Sequence, residues 1–167
     1  ELIEIIVVNN NSTDNTAIIA KSHGAVVVNE MKMGYGQACL TGIEHALKLN
    51  PSVLAFIDGD YSDNPFEIKD LLDKIREGHE LVIGSRVLGK AENGALLPQA
   101  IFGNWLATRL MCLLFRGFRF TDLGPFRAIT TSALKRLAMS DKDFGWTVEM
   151  QSKALLHDLS CAEVSVS

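Results

Sequence analysis

Two carboxylates one residue apart, Asp58 and Asp60, follow the apolar run 53–57. Such a pair offers the hard oxygen ligands that Mg²⁺ or Mn²⁺ prefers. Gly59 between them removes a side chain where a ligand must come close. A cation held there would neutralise a diphosphate leaving group. Acidic pairs also occur in solvated turns. The placement argues for a site, because open α/β sheets bind ligands beyond the carboxyl ends of their strands.

Other residue clusters invite the same question. Asn9-Asn10-Asn11-Ser12-Thr13-Asp14 carries short amides and a carboxylate suited to a nucleobase and ribose. It also reads as an Asx-rich turn in which Asp14 or Asn15 caps a helix. Gly34 and Gly36 punctuate a loop that enters a helix, and their amides could face an anion. With Gly42 they miss the spacing of a dinucleotide fingerprint. Arg86 in Gly84-Ser85-Arg86 and Arg127 in Gly124-Pro125-Phe126-Arg127 carry forked guanidinium groups suited to phosphate. A lone arginine is as easily a surface ion pair. Asp122 and Glu149 are candidate general bases, or else a turn carboxylate and a solvated helix face.

These residues need a frame, and the chain supplies one. Residues 2–8, 25–28, 53–57 and 81–83 read as apolar, β-branched strands. Helical patterns at 16–22, 39–47 and 65–77 separate them. The alternation predicts a mainly parallel α/β sheet in three layers. The polar clusters at 9–14, 58–63 and 85–86 all fall at strand ends, which suggests one shared site. Beyond a loop at 87–98 the pattern predicts helices over 101–115, 131–139 and 146–159, with a turn and strand over 121–129. No internal repeat or linker interrupts the chain.

Composition bounds the reading further. A chain of 167 residues, 47% apolar and 22% charged, is one soluble domain. Its net charge of −4 argues against nucleic acid as a partner. Cys39, Cys112 and Cys161 are scattered among apolar residues and read as buried thiols in a reducing, cytoplasmic setting. No run is long enough to span a bilayer. Trp105, Leu106, Leu110, Met111, Leu113, Leu114 and Phe115, punctuated by Arg109, Arg116 and Arg119, form either a core helix or one lying on a membrane or lipid chain. Both ends break into strand-like residues and read as cuts within a longer single domain.

Taken in order, the stretches VVNNNSTDNT (7–16), MGYGQACLTGIEHA (33–46), FIDGDYSDNP (56–65), VIGSR (82–86), GNWLA (103–107), TDLGPFRAI (121–129), GWTVEMQ (145–151) and AEVSV (162–166) resemble the glycosyltransferase family 2 enzymes, in the dolichyl- or polyprenyl-phosphate sugar synthase branch. The resemblance implies a GT-A, Rossmann-like fold whose first strand would precede Glu1. It implies an inverting transfer from a nucleotide-diphosphate sugar to a polyprenyl or dolichyl phosphate, on the cytoplasmic membrane face, with 101–119 as the peripheral contact. Asp58 and Asp60 would serve the donor and a Mg²⁺ or Mn²⁺ ion. The 9–11 loop, with Asn9 and Asn11, would lie beside the nucleobase. Asp14 and Gly36 would join the donor-binding set, Arg86 and Arg127 would hold phosphate, and Asp122 would lie near the reacting sugar. Asn9 stands where the family usually has Asp, and Ser62 where the better-known synthases have Gln. The alternatives are transfer to a saccharide hydroxyl, with Asp122 as base, and a non-catalytic nucleotide-sugar-binding remnant. A sugar-phosphate nucleotidyltransferase would want a Gly-rich basic loop after its first strand. A haloacid-dehalogenase-type phosphatase would carry its acidic pair near its N-terminus.

Overall fold

The computed structural model describes residues 4–89, 98–115 and 117–167, with side chains excepted over 98–102. The expected start of the first strand at Leu2, most of the 87–98 loop, and Arg116 lie outside the described residues. The chain forms two compact units, one of residues 1–52 with 138–146, the other of 53–137 with 147–167.

In the first unit, β1 (Ile6–Asn9) and β2 (Val26–Asn29) pair in parallel, with Ile6 opposite Val26 and Asn9 opposite Asn29. Helix α1 (Thr16–Ser22) makes the crossover that parallel strands require, and α2 (Tyr35–Leu47) follows β2. Gly24, at φ +86°, turns the chain from α1 into β2 in the left-handed region that glycine tolerates. The buried Trp146 ring meets Tyr35 edge to face, with centroids 6.2 Å apart.

The second unit is built on four strands in the order β3 (Val53–Phe56), β5 (Arg127–Thr130), β4 (Leu81–Ser85), β6 (Cys161–Ser165). Strand β4 is parallel to β6, whereas β5 runs antiparallel to both β3 and β4. The sheet is therefore mixed, where the helix–strand rhythm predicts a mainly parallel one. The chain from β4 passes through α4 and then the 121–126 turn, and a connection of that length permits either strand direction. All five residues of β4 are buried, which explains its uninterrupted apolar character.

Helix α3 (Ile68–Arg76) follows a 3₁₀ turn at Pro65–Glu67. The Asn64 side chain caps that turn by accepting from the Phe66 amide at 3.1 Å. Ile68, Leu71 and Ile75 carry the stripe that packs on Val82, Phe126, Ala128, Ala162 and Val166. Burying these side chains contributes about 1.5–3 kcal/mol for each large one. Helices α4 (Pro98–Leu114), α5 (Thr131–Leu137) and α6 (Trp146–Leu156) fall close to their predicted positions.

Candidate active site

The second unit gathers most of the sequence-predicted chemistry. Asp58 and Asp60 lie just past β3, Arg86 just past β4, and Asp122 in the turn before β5. The backbone N–H of Arg86 donates to Asp122 Oδ2 at 2.9 Å, and Arg86 Nε stands 3.8 Å from the same oxygen. Asp122 Oδ1 accepts from the Gly124 amide at 3.0 Å. Asp122 is buried, so a carboxylate there needs these partners.

Asp60 is exposed and accepts from the Ser62 backbone at 3.0 Å. Hydrogen bonds from Ser62 hold its carboxyl below the usual value, and the Arg86 charge adds to this. Asp63, which sequence reasoning did not single out, is only 4% exposed, and neither of its carboxylate oxygens has a hydrogen-bond partner. Burial pushes its carboxyl above the usual range, against the pull of Arg86 and with the push of Asp58, Asp60 and Asp122. One electrostatic neighbourhood thus joins four acids and one arginine.

This donor set fits a cation shared with a ligand. Among the described residues no three His, Cys, Asp or Glu side chains cluster as a metal cage. Mg²⁺ typically takes one or two carboxylates and completes its shell with water and substrate phosphates. Asp58 and Asp60 supply that number of carboxylates, all oxygen donors.

The turn carrying Asp122 is clamped from several elements. Glu163 of β6 accepts from the Thr121 amide and hydroxyl, each at 2.8 Å, and from the Asp122 amide at 3.2 Å. Asn104 of α4 donates to Thr121 O at 3.0 Å and accepts from the Leu123 amide at 2.9 Å. Gln151 of α6 donates to Asp122 O at 2.8 Å. Asn104, Gln151 and Glu163 fall inside the motifs GNWLA, GWTVEMQ and AEVSV, and a polar residue set within those stretches was the signal available.

Arg127 is placed differently from the expected phosphate ligand. Its side chain is fully buried, and it donates to the carbonyls of Leu123 (3.1 Å), Gly124 and Thr147 (3.3 Å). The guanidinium fork braces the Asp122 turn from within the fold.

In the first unit the predicted donor residues are tied into the β1–α1 turn. Asn9 donates to Asn29 at 3.0 Å and accepts from the Ser12 amide at 3.2 Å. Asn11 is exposed at φ 60°, a left-handed conformation that Asn tolerates. Asp14 accepts from the Thr16 amide at 2.9 Å, and Thr16 holds its carboxyl below the usual value. Asn10 pins the next loop, donating to Lys32 O at 2.7 Å and accepting from the Gly34 amide. The Gly36 amide does not face an open anion site: it donates to Asp143 O at 3.2 Å, and the Gln37 amide donates to Lys142 O at 2.9 Å. A Cβ on Gly36 would lie 2.3 Å from Asp141 O, so close backbone approach is what the glycine serves.

Helix α4 leaves much of its apolar surface in solvent: Trp105, Leu106, Leu110, Leu113 and Leu114 are all exposed. The Arg109 guanidinium lies 5.9 Å from the Trp105 ring centroid. No described helix is long and apolar enough to cross a membrane. Cys39 is half-buried and Cys112 exposed, so of the three thiols expected to be buried only Cys161 is.

The profile described as Glycosyl transferase family 2 matches residues 1–142. An uncharacterized glycosyltransferase of Mycobacterium bovis is 32% identical over 165 residues, covering 97% of this chain and 72% of its own. A polyprenol monophosphomannose synthase of Mycolicibacterium smegmatis is 27% identical, covering 99% of this chain and 66% of its own. Among solved structures, the glucosyl-3-phosphoglycerate synthase of Mycobacterium tuberculosis, in complex with Mn²⁺, UDP and phosphoglyceric acid, superposes with a TM-score of 0.76 at 21% identity. That match covers 97% of this chain and 57% of the synthase, so the chain spans under two thirds of that structure. The shared fold is GT-A, in the α/β class expected from the sequence.

Proposed function

This chain belongs to glycosyl transferase family 2, and from that premise we propose that it moves a sugar, with inversion, from a nucleotide-diphosphate sugar to a polyprenyl phosphate. Asp58 and Asp60 would hold Mg²⁺ or Mn²⁺, which supplies charge neutralisation for the departing diphosphate.

The observation that carries the acceptor reading is the environment of Asp122. Both of its carboxylate oxygens already accept backbone N–H groups, and Oδ2 also faces Arg86. A carboxylate so engaged is suited to holding Arg86 in place more than to taking a proton. A phosphomonoester acceptor needs little base catalysis, because its second pKa is about 6 and it is largely dianionic near neutral pH. It needs a cation, and Arg86 provides one beside the acidic pair. A sugar hydroxyl would need a free general base. Support for a lipid carrying that phosphate comes from α4, whose Asn104 holds the Asp122 turn and whose Trp105, Leu110 and Leu113 are exposed. The matched polyprenol monophosphomannose synthase bears a name of the same kind.

The test is a transfer assay of the purified protein with Mn²⁺ and labelled GDP-mannose or UDP-glucose. Polyprenyl phosphate, 3-phosphoglycerate and free hexoses are offered as acceptors in separate arms. Product in the polyprenyl arm, abolished by Asp60→Ala and by Arg86→Met, is expected. Product only with free hexoses, lost in Asp122→Asn, would refute the phosphate reading. Product with 3-phosphoglycerate alone would retain Arg86 as the phosphate ligand and remove the lipid.

A further inference from the structure

We infer that Glu163 is a positioning residue for the Arg86–Asp122 pair, acting through a directed chain of hydroxyl hydrogen bonds; this rests on the proposed role of that pair. Glu163 lies on β6, opposite Ile83 of β4, and is not itself beside Asp58 or Asp60 in sequence. Its Oε1 accepts from the Thr121 and Asp122 amides at 2.8 and 3.2 Å. Its Oε2 meets Thr121 Oγ1 at 2.8 Å. Thr121 Oγ1 in turn lies 2.8 Å from Ser85 Oγ, and Ser85 Oγ accepts from the Leu88 amide at 3.2 Å.

The donors and acceptors allow one direction only while Glu163 is ionised. A carboxylate has no proton to give, so Thr121 must donate to it. The Thr121 hydroxyl has then spent its single proton, and Ser85 must donate to Thr121. Ser85 completes the chain by accepting from Leu88. The chain therefore runs from Leu88 N–H through Ser85 and Thr121 to Glu163. It ties the loop that carries Arg86 to the turn that carries Asp122. Ser85 is fully buried, so an unsatisfied hydroxyl there would be costly.

Glu163→Gln is nearly isosteric and separates this role from simple packing. Its amide oxygen can still accept the two backbone N–H groups. Its NH₂ must donate to Thr121 Oγ1, so Thr121 no longer has a carboxylate for its proton and one hydroxyl proton of the Ser85–Thr121 pair is left without an acceptor. Three readouts test the inference. In steady-state assays, E163Q lowers kcat/KM for the acceptor about tenfold, the effect of one hydrogen bond mis-set by roughly 1.4 kcal/mol. The affinity for the nucleotide with Mn²⁺, held at Asp58 and Asp60, stays unchanged. T121V matches this loss, T121S recovers to within about twofold, and the E163Q/T121V double variant is no worse than either single one.

Hydrogen exchange gives a readout independent of any acceptor. The Arg86, Leu88 and Asp122 amides exchange faster in E163Q and T121V than in the wild type. Faster exchange with no transfer by the wild type to any acceptor would leave the positioning intact and sink the functional reading. Wild-type exchange and wild-type acceptor kinetics in E163Q, or additive losses in the double variant, would overturn the inference itself.

Discussion

Replacing Arg127 by Met separates two roles that the sequence alone leaves together. A phosphate ligand would expose its guanidinium, whereas here the side chain is fully buried against the carbonyls of Leu123, Gly124 and Thr147. Met retains much of the aliphatic volume but donates nothing. Each buried carbonyl left without a donor costs about 1–3 kcal/mol. Removing the charge recovers part of that sum, because a buried guanidinium is itself expensive to desolvate. Thr147 O keeps the Gln151 amide of its own helix, so the Leu123 and Gly124 carbonyls, at about 1.5 kcal/mol each, give a loss of about 3 kcal/mol. For a domain of this size, each kcal/mol moves Tm by about 2–4 °C, so Tm should fall by about 6–12 °C. Thermal unfolding followed by circular dichroism, with nucleotide affinity measured well below the transition, checks both halves. An unchanged Tm with a tenfold loss of nucleotide or acceptor affinity would refute the bracing role and return Arg127 to the phosphate.

Other perturbations follow from the same geometry. Gly36→Ala places a Cβ 2.3 Å from Asp141 O and should destabilise by about 1–3 kcal/mol, read by urea unfolding; an unaffected midpoint would refute the close approach. Glu30 accepts from Thr41, Gln37 and the Lys32 amide, which hold its carboxyl at about 2 against an ordinary 4.5. The stability it contributes is present above about pH 4.5 and is lost as pH falls toward 2. Glu30→Gln should therefore lower Tm at pH 7 and converge on the wild type near pH 2.5, and a constant difference across that range would contradict the assignment. Asp63 shifts the other way: with a raised folded value, its contribution is intact below about 3.8 and falls as pH rises through the folded value. Asp63→Asn should keep or raise Tm at pH 7 while impairing Mn²⁺-dependent nucleotide binding; a Tm loss of several degrees would show that the carboxylate has a structural partner.

Much of the second unit was legible from residue type alone. The apolar runs ending at Asp58 and Arg86 are strands or lead out of strands, and Asp122 joins them in one electrostatic neighbourhood. Those residues stood out in the sequence because short polar clusters directly follow apolar strands, where open α/β sheets bind ligands. Glu163 could not be found that way. A lone glutamate in a short strand reads as solvent-facing, and its partner Thr121 is 42 positions away. Arg127 misled for a related reason: an arginine after a Gly-Pro turn looks exposed, and only the burial of Phe126, Ala128 and Ile129 around it shows otherwise. The direction of β5 was equally hidden, since strand polarity depends on how the chain returns and not on which residues it contains.

Four polar side chains, two of them fully buried, fasten the Asp122 turn. Between Thr121 and Gly124, Glu163, Asn104, Gln151 and Arg127 engage backbone groups of every residue, from four different elements. A turn serving only to reverse the chain would need one or two such bonds. Over-determination of this kind is what holds a charged pair against its tendency to swing into solvent. Here it fixes a carboxylate whose oxygens are already occupied beside an arginine whose Nε has no hydrogen bond. The spare capacity of the pair is thus cationic and donor-bearing. That capacity suits the anionic, accepting phosphate of the proposed acceptor better than a neutral hydroxyl.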